Sequence, residues 1–136
     1  MPDLIHFLLI EDDQDDITFL KEALDENGIP YKMETLTRGD LITDYLSNIK
    51  RLPDLIVMDL NLPKLHGREV LCKIRKDKKF SNVPVIILTT SSLQEDVNFC
   101  MEKGADKFVS KPATPEGFRE LAGILLQAAS KTRQIS

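Results

Sequence analysis

At 136 residues the chain has the length of one ordinary domain, and with 42% hydrophobic and 29% charged residues its composition excludes disordered and fibrous classes. A net charge of −4 and a pI near 5.2 exclude general nucleic-acid binding, which needs a basic face to displace counterions. Apolar runs such as Leu55 to Met58 and Val85 to Leu88 fall far short of the roughly 20 residues a membrane helix needs. Acidic Asp3, with no basic region ahead of the apolar stretch, is unlike a signal peptide, so a cytoplasmic protein without membrane contact is expected.

In chain order, Leu4 to Ile10 is an almost unbroken apolar run, which suits a strand covered on both faces. Ile17, Leu20 and Leu24 then lie three and four apart, opened by the acidic caps Asp15 and Asp16 and closed by Gly28 and Pro30, which predicts a helix. Tyr31 to Leu36 alternates as an edge or half-covered strand would. A second helical stripe, Leu41, Ile42, Tyr45, Leu46 and Ile49, follows Gly39-Asp40. Leu55 to Met58 is a third strand, and after Gly67 the stripe Val70, Leu71 and Ile74 marks a third helix. The basic cluster Lys73, Arg75, Lys76, Lys78 and Lys79 reads as cations matched to that helix's C-terminal dipole and running into a solvated loop.

Val83 to Leu88 is the fourth strand, with Pro84 near its start; Leu93, Val97, Cys100 and Met101 form the fourth helical stripe, ending at Gly104. Lys107 to Ser110 makes a short fifth strand. The last helix carries Phe118, Leu121, Ala122, Leu125 and Ala128, and residues 130–136 read as a loose tail to a core of about 4–129. Cys72 and Cys100 fall on the apolar stripes and read as buried thiols. Five buried strands alternating with five helices predict a doubly wound α/β domain: a parallel five-stranded sheet with helices on both faces, in a single domain with no room for an output domain.

In such folds ligands collect beyond the carboxyl ends of the strands. Those ends carry Glu11-Asp12-Asp13, Asp59-Leu60-Asn61, Thr89-Thr90-Ser91 and Lys111-Pro112. Like charges gathered in one crevice demand a counter-charge. Hard oxygen donors without sulfur or imidazole favour Mg2+, or Mn2+ in its place, and Lys111 supplies a second positive charge. A carboxylate nucleophile, a cation, a lysine and the Thr89 hydroxyl are the parts of phosphoryl transfer through an aspartyl phosphate. Asp13, Asp15 and Asp16 read as helix caps.

The stretches Leu8-Leu9-Ile10-Glu11-Asp12-Asp13, Asp54 to Pro63 with Gly67 after it, Pro84 to Thr89, Gly104-Ala105-Asp106 and Lys111-Pro112 closely resemble the receiver domains of bacterial response regulators, from Leu4 to about Ala129. The resemblance implies a flavodoxin-like receiver fold with Asp59 as phosphoacceptor, charged from a phosphohistidine on a sensor histidine kinase or histidine phosphotransfer protein. It implies Asp12 as direct Mg2+ ligand, Glu11 as a ligand through water, and Asn61 as donor of a backbone carbonyl to the metal. Thr89 resembles the switch hydroxyl and Lys111 the phosphoryl-binding lysine, with the Lys111-Pro112 bond expected to be cis. Phe108 falls where the family places its switch aromatic, often a tyrosine, and Thr90 is small enough to admit the phosphoryl group. Asp15-Asp16-Ile17, Thr89-Thr90-Ser91 and Asp96-Val97 resemble the stand-alone regulators that partner phytochrome-type and other hybrid sensor kinases.

Three functions compete on these residues. A phosphorylation-dependent switch would accept the phosphoryl group on Asp59 and bind a downstream protein, with a homodimer as one form of the active state. An aspartyl-phosphate phosphatase would place a second Asp two residues after the nucleophile, where Asn61 stands and cannot cycle a proton. A phosphorylation-independent interaction module would have little reason to keep Glu11, Asp12, Asp59, Thr89 and Lys111 together. The first is the expectation.

Overall fold

The five strands form one parallel sheet because the helix between each strand and the next returns the chain to the same end of the sheet. A computed structural model describes residues 4–133; residues 1–3 and 134–136, which include Asp3 and the end of the expected tail, lie outside it. The elements run β1 (Ile5–Ile10), α1 (Gln14–Glu26), β2 (Tyr31–Leu36), α2 (Ile42–Asn48), β3 (Leu55–Met58), α3 (Gly67–Lys76), β4 (Val85–Thr89), α4 (Gln94–Glu102), β5 (Lys107–Ser110) and α5 (Pro115–Arg133). Short 3-10 turns at Gly39–Leu41 and Lys78–Phe80 precede α2 and β4. The strand order is β2-β1-β3-β4-β5, all pairs parallel. Among the described residues no helix is long and apolar enough to cross a membrane.

Strand alternation divides the core into two layers. Leu8, Ile10, Ile56, Met58 and Ile87 face α2, α3 and α4, where they meet Ile42, Val70, Leu71, Ile74 and Cys100. Phe7, Leu9, Val57, Ile86 and Leu88 face α1 and α5, against Leu20, Leu24, Phe118, Leu121 and Leu125. Each such side chain contributes about 1.5–3 kcal/mol on leaving water. β3 is central, and all four of its residues are fully buried. β2 lies at an edge, so Lys32 and Glu34 stay exposed while Tyr31, Met33 and Thr35 are half covered, as their alternation predicts.

Several expected boundaries shift, each for a local reason. Leu4 is 40% exposed and β1 begins at Ile5. Pro84 has no amide hydrogen to give to the ladder, and β4 begins after it at Val85. α1 begins at Gln14 with Asp13 as its cap, the Asp13 side chain accepting from the Asp16 amide at 3.1 Å. On α4, Leu93 and Met101 are exposed at 59% and 44%; the buried positions are Asp96 and Cys100, with Phe99 half-buried against the core. Cys72 is half-buried rather than core. The helix α5 continues through Arg133, so residues 130–133 are helical rather than a loose tail.

Candidate functional site

The sheet register sets the site. Ile10 pairs with Met58, so Glu11 and Asp59 leave the sheet side by side, and the Asp59 amide still donates to the Ile10 carbonyl at 3.0 Å. Met58 pairs with Ile87, which brings the end of β4 alongside. Thr89 pairs with Ser110, and the next residue, Lys111, donates its amide to the Thr89 carbonyl at 3.0 Å. Glu11, Asp59, Thr89 and Lys111 therefore meet at one carboxyl edge.

Glu11, Asp59 and Thr89 are buried, and Asp12 is exposed at the rim. One carboxylate oxygen from each of Glu11, Asp12 and Asp59 lies within 4.8 Å of the others, a hard-oxygen set of the size a small divalent cation needs. Lys111 Nζ answers the charge from the other side. It stands 2.8 Å from Glu11 Oε1, 3.0 Å from Asp59 Oδ2 and 2.7 Å from Asp16 Oδ2, which accounts for its three N–H donors.

The remaining oxygens are engaged differently. Glu11 Oε2 accepts from the amides of Asp12 and Asp13 at 3.1 and 3.2 Å, so both Glu11 oxygens already have partners. Asp59 Oδ1 accepts from the Leu60 and Asn61 amides at 2.7 and 3.3 Å. Burial pushes the Glu11 carboxyl above the ordinary 4.5, and the Asp59 charge adds to this, while the bonds from Lys111 and the Asp13 amide offset only part of it. Burial by itself would lower the Lys111 ammonium. The carboxylates of Asp16, Glu11 and Asp59 outweigh it, and the lysine stays charged well above its usual range.

The loop after Asp59 is held tightly against the cleft. Gly67 donates its amide to the Leu60 carbonyl at 2.8 Å, and a Cβ there would stand 2.5 Å from both the Asp59 carbonyl oxygen and Leu60 Cα. Only glycine permits that approach. The Thr89 hydroxyl accepts from the Ser91 amide at 3.3 Å, and Ser91 in turn donates its own hydroxyl to Asp96 at 2.6 Å. Arg68 Nε on α3 reaches the same Asp96 carboxylate at 2.8 Å while its guanidinium lies 5.0 Å over the Phe99 ring. Ser91 first and Arg68 second hold the Asp96 carboxyl below its ordinary 3.8.

Glu11, Asp12, Asp59 and Lys111 thus converge, with Thr89 joined to Lys111 through the backbone. Asn61 is exposed beside them and touches Asp59 through its amide. Phe108 is half-buried against the α2, α3 and α4 layer, one strand position before Val109, which lies on the other face. The Lys111-Pro112 bond, expected to be cis, is trans: no peptide bond among the described residues is cis. The amide of Lys111 is held by the Thr89 carbonyl and its ammonium by three carboxylates, so the lysine enters the cleft with the bond trans. Asp16, read from sequence as a cap, was missed as part of this cluster. Its signal was the spacing Asp16, Leu20, Ala23, which puts it on the buried stripe of α1.

Over residues 7–122 the chain matches the response regulator receiver domain, and it belongs to that family, the phosphorylation-dependent switches of two-component signalling. Its sequence is 34% identical over 110 residues to the response regulator Rcp1 of Synechocystis sp., covering 76% of this chain and 74% of that protein. It is 38% identical over 110 residues to the KDP operon transcriptional regulatory protein KdpE of Escherichia coli, covering 80% of this chain and 45% of KdpE, so the chain spans about half of that relative's length. The phosphorylated cyanobacterial phytochrome response regulator RcpA superposes with a TM-score of 0.82 at 32% identity, covering 90% of this chain and 91% of that one. The Mn2+-bound form of Rcp1 superposes with a TM-score of 0.80 at 31% identity, covering 88% and 90%.

Proposed function

We propose that Asp59 is the phosphoacceptor of this receiver and that Glu11, Asp12, Asn61, Thr89 and Lys111 form the machinery around it. The observation that carries this reading is the position of Lys111 Nζ, 3.0 Å from Asp59 and 2.8 Å from Glu11, on a carboxylate group that lacks any other cation among the described residues. In the transfer, a carboxylate oxygen of Asp59 attacks the phosphorus of a phosphohistidine. The new O–P bond forms as the P–N bond breaks, and the nitrogen keeps that bond's electron pair. Lys111 remains protonated throughout and passes a hydrogen bond from Asp59 to a phosphoryl oxygen. The Thr89 hydroxyl donates to another.

The donor set fits Mg2+, or Mn2+, the ion with which Rcp1 was solved. Asp12, Asp59 and the Asn61 carbonyl would hold it directly and Glu11 would reach it through water, the arrangement that the resemblance to receiver domains implies. When bound, the cation offsets the charge of the cleft and of the incoming phosphoryl group. The phosphoryl donor is a sensor histidine kinase or histidine phosphotransfer protein in the cytoplasm, and the protein is a regulator rather than an enzyme, since Asn61 cannot serve as a second acid. We read the chain as a single receiver domain. Drawing Thr89 toward the phosphoryl group opens space that Phe108 can enter, which remodels the face of α4, β5 and α5 for a downstream protein or a second copy. Phe108 does this without the phenol oxygen of a tyrosine.

Incubation with acetyl phosphate and Mg2+ should add one phosphoryl mass to the intact protein. Asp59→Asn should abolish the addition, and chelation of the metal should do the same. A label that survives Asp59→Asn would overturn the assignment.

A further inference from the structure

We propose that Asp16 is a positioning residue for phosphotransfer, the carboxylate that keeps Lys111 across the cleft while its other partners are taken up by the reaction. The inference rests on Asp59 being the phosphoacceptor. Of the three carboxylates on Lys111 Nζ, Asp16 is the nearest, at 2.7 Å, and it alone lies outside the Glu11, Asp12 and Asp59 group that suits a cation. A metal ion draws on the charge of Glu11 and Asp59, and a phosphoryl group replaces the Asp59 contact. Neither competes for Asp16. The Lys111 side chain is 9% exposed and that of Asp16 22%, so the pair is shielded enough to hold its geometry.

Asp16 is itself fixed. Its amide donates to the Asp13 cap at 3.1 Å, and its neighbours Ile17 and Leu20 are buried against the sheet. The first turn of α1 is thereby tied to the residue that follows β5, across 95 positions of sequence. A plain helix-dipole role for a first-turn acid would act on α1 alone and would not depend on Lys111. That difference makes the two roles separable.

The test compares wild type, Asp16→Asn, Lys111→Ala and the double variant, phosphorylated by acetyl phosphate at saturating Mg2+ and followed by intact mass. Acetate leaves with the electron pair of the broken P–O bond as the Asp59–phosphorus bond forms. Asp16→Asn should slow labelling about tenfold, within what a displaced catalytic group costs. In the Lys111→Ala background the same change should have an effect of less than about twofold, since residues that act through one another are not additive. On the resting protein, the 15Nζ ammonium signal of Lys111, protected in wild type, should broaden in Asp16→Asn with the backbone spectrum otherwise retained. Wild-type labelling by Asp16→Asn, or an equal slowing with and without Lys111, would overturn the proposal. An Asp59→Asn control keeps the two failures apart, because label on that variant would instead defeat the phosphoacceptor reading.

Discussion

The Ser91 hydroxyl stands 2.6 Å from Asp96 Oδ2, so the loop that carries Thr89 out of β4 is tied to the first turn of α4, and through Arg68 to α3. Asp96 is 7% exposed, and replacing it with alanine removes the acceptor from both donors. Asp96→Ala should cost roughly 1.5–3 kcal/mol at neutral pH, the range for hydrogen bonds to a charged group. The sign with pH follows from its lowered pKa. A carboxyl held below its ordinary 3.8 in the fold adds stability above about that pH and loses it as pH falls through the folded value. Urea unfolding from pH 7 to pH 3 should therefore show the gap between wild type and Asp96→Ala narrowing on the acid side. A gap that stays constant would mean the carboxylate charge is not what stabilises this corner.

This corner also marks where sequence reasoning stopped. The strand ends were legible because apolar runs terminate abruptly in Glu11-Asp12, Asp59 and Lys111-Pro112, and parallel topology then forces those ends to one edge. Asp96 entered only through a resemblance, and its bond to Arg68 was not legible because the two lie 28 positions apart with no sequence pattern to join them. Asp16 failed for the same reason: the first turn of a helix gives a local use for an acid, and the lysine that claims it is distant in sequence. The end of α5 was misplaced because polar residues after Ala129 weaken the apolar stripe without forbidding helix, there being no Gly or Pro to stop it.

Gly67 leaves no room for a side chain, since a Cβ would press within 2.5 Å of the Asp59 carbonyl oxygen and Leu60 Cα, both backbone atoms. Gly67→Ala should destabilise the protein by about 1–3 kcal/mol, the usual cost of overpacking. It should also slow labelling of Asp59 by acetyl phosphate, because relief of the clash moves the residue that carries the carboxylate. Denaturant melts and labelling rates on one preparation check both. Loss of stability with an unchanged rate would place the strain in the loop rather than at the site.

Without a divalent cation, the carboxylates of Glu11, Asp16 and Asp59 share the ammonium of Lys111, and Asp12 adds a fourth negative charge beside Glu11 and Asp59. Removing one negative charge should relieve that excess, so metal-free Asp59→Asn should be more stable than wild type by about 1 kcal/mol, the scale of a partly screened charge pair. With millimolar Mg2+ the order should reverse, because wild type gains binding energy that the amide variant largely forfeits. Urea unfolding in chelator and in Mg2+ reads both arms. Equal Mg2+ stabilisation of the two proteins would remove Asp59 from the cation site.

The two thiols should differ sharply in reactivity. Cys100 is fully buried, and burial first, with the nearby Asp96 charge second, pushes its thiol up to about 11, whereas Cys72 is half-buried on α3. Only the thiolate attacks a disulfide reagent, and at pH 8 a thiol titrating near 11 is about 0.1% ionised. Native protein should therefore release one equivalent of thiol rapidly at pH 8 and the second only after unfolding in urea. The stability consequence has the opposite sign to that of Asp96. A thiol whose pKa is raised in the fold, from 9.0 to about 11, favours the native state below pH 9 and loses that contribution as pH rises toward 11. Cys100→Ala should flatten this alkaline decline in unfolding free energy while lowering stability near neutrality through the small cavity it leaves. Rapid release of two equivalents from folded protein would show that the α3 and α4 layer opens far more readily than its packing implies.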